Sequence, residues 1–135
     1  MRNVVAYCRS AWEPQGGLSA GSRQARAIRQ YATERGLAIQ SIYIDSGVSG
    51  SSLDRSELQR LIADCHAGKI GTIITQDPER LSRDTSQLLA LLHIFQKTGV
   101  RVEFGTPEGR TRLASLKVYL AALLELEAAK AVTDA

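Results

Sequence analysis

The sequence predicts an α/β domain: a mostly parallel sheet of four to five strands flanked by helices, followed by a long C-terminal helix. Three observations predict it. Short apolar runs rich in β-branched residues alternate with stripes of helical spacing. The helical stripes end at glycines, which accept the left-handed conformation that closes a helix. Strands separated by helices must run largely parallel, with both sheet faces covered. At 135 residues the chain is the size of one domain with an ordinary core.

Each element follows from its residues. Residues 3–8 form the first apolar run and predict a strand. Ala25, Ile28, Tyr31 and Ala32 then recur at helical spacing within residues 22–35, and Gly36 is placed to cap them. Residues 37–44 alternate as a second strand. Leu58, Leu61, Ile62 and Cys65 make the next helical stripe, which ends near Gly68, and residues 70–75 are a β-branched third strand. Leu88, Leu89, Leu91, Leu92 and Phe95 mark a helix that stops before Gly99, and residues 100–104 give a fourth strand. Residues 112–132 contain no Gly or Pro, and Leu113, Leu116, Leu120, Leu123 and Leu124 keep helical spacing. With Val118, Tyr119 and Leu126 around its sides, this helix needs more than one surface to cover it. Gly105-Thr-Pro-Glu-Gly109 reads as a linker that detaches it from the sheet. The helix can pack on its own sheet or serve self-association; the linker favours the second, so the expected division is a body at 1–109 and a self-association helix at 110–135.

Charge and cysteine usage narrow the function classes. The formal net charge is only +3, but thirteen Arg face four Lys. The planar guanidinium fork suits phosphate oxygens, although codon composition can produce the same bias. Cys8 and Cys65 are isolated, with no metal-like spacing to His66 or His93, which predicts two buried thiols in a reducing cytoplasm and no metal. No apolar run approaches the roughly 20 residues of a membrane span.

In parallel sheets, ligands sit in loops at the carboxyl ends of strands. That rule selects residues 9–21, 45–55 and 76–84, and all three segments contain arginine. The third, Asp77-Pro-Glu-Arg-Leu-Ser-Arg-Asp84, follows a strand directly. Pro78 is suited to the first position of a helix, which would put Arg80 and Arg83 on one face at its amino end and make an anion site. The alternative is a solvated face with Glu79 and Asp84 paired to the arginines. Residues 43–55, small, polar and punctuated by glycine, can order around a ligand with Arg55 or serve as a plain connection.

Taken in order, these pieces resemble the catalytic domain of the serine site-specific recombinases, the resolvase and invertase family. The resemblance rests on Tyr7-Cys-Arg9, Leu18-Ser19 with Gln24, Ser49-Gly50 with Leu53-Asp-Arg55, and Arg80-Leu-Ser-Arg83-Asp84. It implies cleavage of double-stranded DNA by serine attack on phosphorus, a 5′-phosphoserine intermediate, strand exchange within a homodimer or homotetramer, and no cofactor or metal. It also implies a cytoplasmic, nucleoid-associated protein of prokaryotic or mobile-element origin. Arg9, Arg80 and Arg83, with Glu79, would surround the scissile phosphate; Gln24, Asp45, Ser49 and Arg55 would contribute further phosphate contacts.

The opening segment departs from this pattern. The family motif Tyr-x-Arg-x-Ser puts the nucleophile at position 11, where this chain has Ala11, while Ser10 stands one place earlier. One step along a strand turns a side chain to the opposite face, so Ser10 is a doubtful substitute. Glu79 stands where the family has Asp, and Ala128 follows Glu127 where an Arg is usual. No DNA-binding domain follows the helix within this sequence. Two expectations result: a strand-cleaving recombinase domain, with Ser10 or another hydroxyl as nucleophile or with an engineered Ala11 replacing a natural serine, or a cleavage-deficient relative acting in DNA binding, assembly or regulation.

Overall fold

The computed structural model describes residues 2–10, 20–46 and 55–134. Four strands form one parallel sheet: β1 (Asn3–Ser10), β2 (Ser41–Ser46), β3 (Ile70–Thr75) and β4 (Arg101–Phe104), in the order β2-β1-β3-β4. The helices are α1 (Ala20–Glu34), α2 (Ser56–His66), the single turn α3 (Pro78–Leu81), α4 (Thr85–Lys97) and α5 (Pro107–Asp134). The expected α/β class and sheet direction hold, with four strands among the described residues.

Alternation along β1 divides the core. Ala6 and Cys8 join Ala25, Ile28 and Ala32 on the α1 face, whereas Val5 and Tyr7 join Leu58, Leu61, Leu91 and Phe95 on the other. Gly36 adopts φ 71° and closes α1 as expected, with Leu37 N–H donating to Ala32 O at 2.8 Å. The second strand is also corrected: residues 37–40 run irregularly from the cap, with the Gln40 N–H donating to Val4 O at 2.9 Å, and β2 begins at Ser41.

The supposed linker before the last helix is a second correction. Pro107 opens α5, the Gly109 N–H donates to Thr106 Oγ1 at 3.0 Å, and the Gly105 N–H donates to Thr75 O at 2.9 Å. Proline and glycine are used here for a helix start and a close approach, so the helix is anchored to the sheet. Leu116 and Leu120 are buried on the core with Leu113 packed beside them, while Val118, Tyr119, Leu123 and Leu126 remain exposed.

Candidate phosphate site at the end of β1

β1 leaves the sheet toward β2 on one side and β3 on the other, so the crevice between the carboxyl ends of β1 and β3 is the topological switch point where parallel sheets hold ligands. β1 also overhangs its neighbour, since pairing with β3 ends at Ala6 opposite Ile74. Other groups satisfy the overhanging backbone. Thr75 Oγ1 donates to Tyr7 O at 2.8 Å, and the Gln24 amide brackets Arg9, accepting from its N–H at 3.1 Å and donating to its carbonyl at 2.7 Å. Gln24 thus stands in for the missing strand, and its side chain faces the backbone of β1.

The gap beyond β3 is filled by α3. Pro78 occupies the first turn as expected, but the helix has only four residues, so Arg83 falls outside it. The expectation of two arginines over a helix amino end is corrected accordingly. The arginines meet the carboxyl end, where a short helix leaves its carbonyls without intrahelical partners and favours cations. Arg9 donates from Nη2 to Glu79 O at 3.0 Å and from Nε to Arg80 O at 3.2 Å. Arg55 donates from Nη1 to Arg80 O at 3.0 Å and from Nη2 to Leu81 O. Arg80 returns a bond to Arg9 O at 3.2 Å, and its Nε lies 3.7 Å from Asp77 Oδ2.

Arg9 and Arg55 are each only 1 % exposed, Arg80 is half-buried and Arg83 is exposed. Burial lowers the Arg9 pKa, and the nearby Arg55, Arg83 and Arg80 charges lower it further. Arg9, Arg55 and Arg80 thus meet at the α3 carbonyls and the end of β1, with the exposed Arg83 near enough for its charge to act on Arg9. The carbonyls that receive Arg9 and Arg55 are neutral, so those bonds orient the two guanidinium groups without cancelling their charge, whereas Arg80 also has the Asp77 carboxylate beside it. Glu79 and Asp84 do not pair with them: Glu79 binds Arg112 of α5, and Asp84 caps α4 by accepting from the Gln87 N–H at 2.9 Å.

Asp45, at the end of β2, has both carboxylate oxygens committed. Oδ2 accepts from the Tyr7 hydroxyl at 2.8 Å and from Leu58 N–H at 2.9 Å, and Oδ1 accepts from Glu57 N–H at 3.0 Å. It caps α2 from a distant strand and holds Tyr7, which in turn accepts from Arg55 at 3.0 Å. This role leaves little local trace in the sequence. Ala11, Leu18, Ser19, Ser49, Gly50, Leu53 and Asp54 lie outside the described residues.

Among the described residues, Ser10, Tyr7 and Ser82 are the hydroxyls near the arginines, and each is engaged or turned away. Ser10 is 3 % exposed and, by the alternation of β1, shares the α1 face with Cys8, opposite Arg9. Tyr7 is fully buried, and burial, the largest influence, raises its pKa well above the ordinary phenol value. Ser82 accepts from Asp84 N–H at 3.0 Å. Among the described residues no group of three His, Cys, Asp or Glu side chains could hold a metal ion, and no helix is long and apolar enough to cross a membrane.

Comparison with known proteins identifies the family to which the fold belongs. Residues 4–133 match the family model described as Resolvase, N terminal domain. A Bacillus subtilis (strain 168) protein named "Putative DNA recombinase" is 31% identical over 135 residues, which covers 94% of this chain but only 25% of that protein. The chain thus spans about a quarter of that relative's length. Among solved structures, the N-terminal catalytic domain of TP901-1 integrase superposes with a TM-score of 0.71 at 27% identity, covering 92% of this chain and 98% of that one. A resolvase family site-specific recombinase from Streptococcus pneumoniae shares the fold, with a TM-score of 0.68 at 22% identity over 98% of this chain and 93% of its own. With the family model spanning nearly the whole sequence and the arginine-bearing strand ends in one crevice, this chain belongs to the resolvase family of serine recombinase catalytic domains.

Proposed function

We propose that this domain holds a backbone phosphate of double-stranded DNA at its arginine cluster, with the more exposed Arg80 and Arg83 in front and the buried charges of Arg9 and Arg55 behind them, and that with Ala11 in place of the family's serine it does so without forming a covalent link. The observation that carries the reading is the seating of Arg9 and Arg55 on the α3 carbonyls, with Arg80 and Arg83 close by. A phosphate diester spreads negative charge over its non-bridging oxygens, and a pre-oriented arginine set stabilises that charge most where it grows, in the transition state of phosphoryl transfer. The buried, opposite-facing position of Ser10 supports the second half of the reading. Partners follow from the same argument: DNA, and a second copy of the chain through the exposed side of α5. Work on DNA implies a place at the nucleoid.

The test is a denaturing gel with labelled duplex, using the chain joined to a DNA-binding domain of known site. The unaltered sequence should give no covalent band. Ala11→Ser is the minimal change that restores one: the Ser Oγ bonds to phosphorus, the bond from phosphorus to the 3′-oxygen breaks, and that oxygen leaves as a hydroxyl after taking a proton. Ser10→Ala in that background should leave the band unchanged. A band from the unaltered chain that vanishes on Ser10→Ala overturns the reading and makes Ser10 the nucleophile.

A further inference from the structure

The α3 turn is held from two sides. On one side its carbonyls receive Arg9 and Arg55. On the other, Thr106 just before α5 and Gly109 and Arg112 within it, spaced by three, meet the segment that leads into and opens α3. Thr106 Oγ1 donates to Gln76 O at 3.1 Å. Gly109 lies so close that an added Cβ would stand 3.3 Å from Asp77 Cα. Arg112 pairs with the Glu79 carboxylate, across a small cleft of about 230 Å³. Glu79 therefore carries both contacts, its side chain on α5 and its carbonyl on Arg9.

We propose that Arg112 is a positioning residue for the phosphate site: by holding the Glu79 carboxylate it fixes the turn on which Arg9 and Arg55 are seated. The proposal rests on the phosphate reading above. A four-residue helix cannot hold its own geometry. α3 closes with the Ser82 N–H to Pro78 O bond at 3.1 Å, and a single turn is unfavourable without outside support. Arg112 and Glu79 are 41% and 44% exposed, so their ion pair adds little to overall stability. Its effect is local, on the placement of two carbonyls, and the start of α5 thereby sets the geometry of the arginine set.

The experiment reads the arginine directly. In the free chain, NMR of ¹⁵N-labelled arginine side chains follows exchange of the Arg9 Nε–H with solvent, while titration with a short duplex gives affinity. Arg112→Gln and Glu79→Gln should each speed that exchange, the double variant should go no further, and Arg112→Lys should recover part of the protection. Duplex affinity should fall about 3- to 10-fold in Arg112→Gln, the size of coupling carried through one packed contact. Lys117→Gln, which removes one exposed α5 charge, should cause a smaller loss and leave Arg9 exchange unchanged. Unchanged Arg9 exchange in Arg112→Gln overturns the proposal, as does a Glu79→Gln variant that binds duplex more tightly with Arg9 still protected, the sign expected if Arg112 touched DNA itself. If Arg9→Gln leaves duplex affinity intact, the phosphate reading has failed, and the exchange measurement still decides the positioning role.

Discussion

Asp45→Ala tests how the site is built, because it removes one acceptor from three donors. The Tyr7 hydroxyl and the Leu58 N–H are buried, at 2.8 and 2.9 Å, so water cannot replace the carboxylate. Each orphaned buried donor costs about 1–3 kcal/mol. The Glu57 N–H at 3.0 Å is part-buried and can rehydrate, but the amino end of α2 loses an anion worth about 0.3–1 kcal/mol. Together these give a loss of about 2–7 kcal/mol, a large share of the roughly 5–15 kcal/mol that holds a typical domain. Asp45→Asn keeps one oxygen for α2 and should lose about 1–2 kcal/mol. Urea unfolding at neutral pH, followed by circular dichroism, measures both, with Glu57→Gln as the control because its ion pair with Arg60 lies at the surface and contributes under about 1 kcal/mol. If Asp45→Ala lost less than about 1 kcal/mol, the three bonds would not be holding β2, α2 and Tyr7 together, and the account of how Arg55 is seated would fall with them.

Three further outcomes follow. Gly109→Ala should destabilise by about 1–3 kcal/mol despite the better helix propensity of alanine, because the new Cβ would stand 2.9 Å from both Phe104 Cβ and Thr106 Oγ1; a stabilised variant in urea unfolding would refute that packing. Burial pushes the Cys8 thiol up to about 12 and the Cys65 thiol up to about 11, from an ordinary 9.0. The folded chain therefore retains these protons longer than the unfolded chain, so this stability is complete below about pH 9 and declines as pH rises through the folded values, which urea midpoints at pH 8 and 10.5 should show. Native protein that reacts with a thiol reagent as fast as a free cysteine does would contradict this burial. Finally, Val118, Tyr119 and Leu126 should support self-association, so sedimentation of the unaltered chain should show dimers or larger species that Tyr119→Glu with Leu126→Glu shifts toward monomer; a monomer at high concentration in the unaltered chain would count against it.

By itself the sequence determined the α/β class, the positions of α1, α2 and α4, and three strand-end segments that carry arginine. Those features depend on local periodicity and on glycine and proline chemistry, which can be read one segment at a time. It also disclosed the Ala11 departure, since a motif is a matter of spacing. Tertiary structure decided the rest. Gln24 bracketing Arg9, Asp45 capping α2 and the arginine forks on the α3 carbonyls join residues 12 to 71 positions apart. No local pattern encodes such bonds, because each depends on which backbone groups the finished sheet leaves unpaired. The same reason explains the misread linker. Gly105, Pro107 and Gly109 are punctuation in any local reading, yet packing against Thr75, Phe104 and Asp77 makes them the anchored start of α5. Arg112 carries no signal in the sequence, and its place beside Glu79 exists only once that anchor has formed.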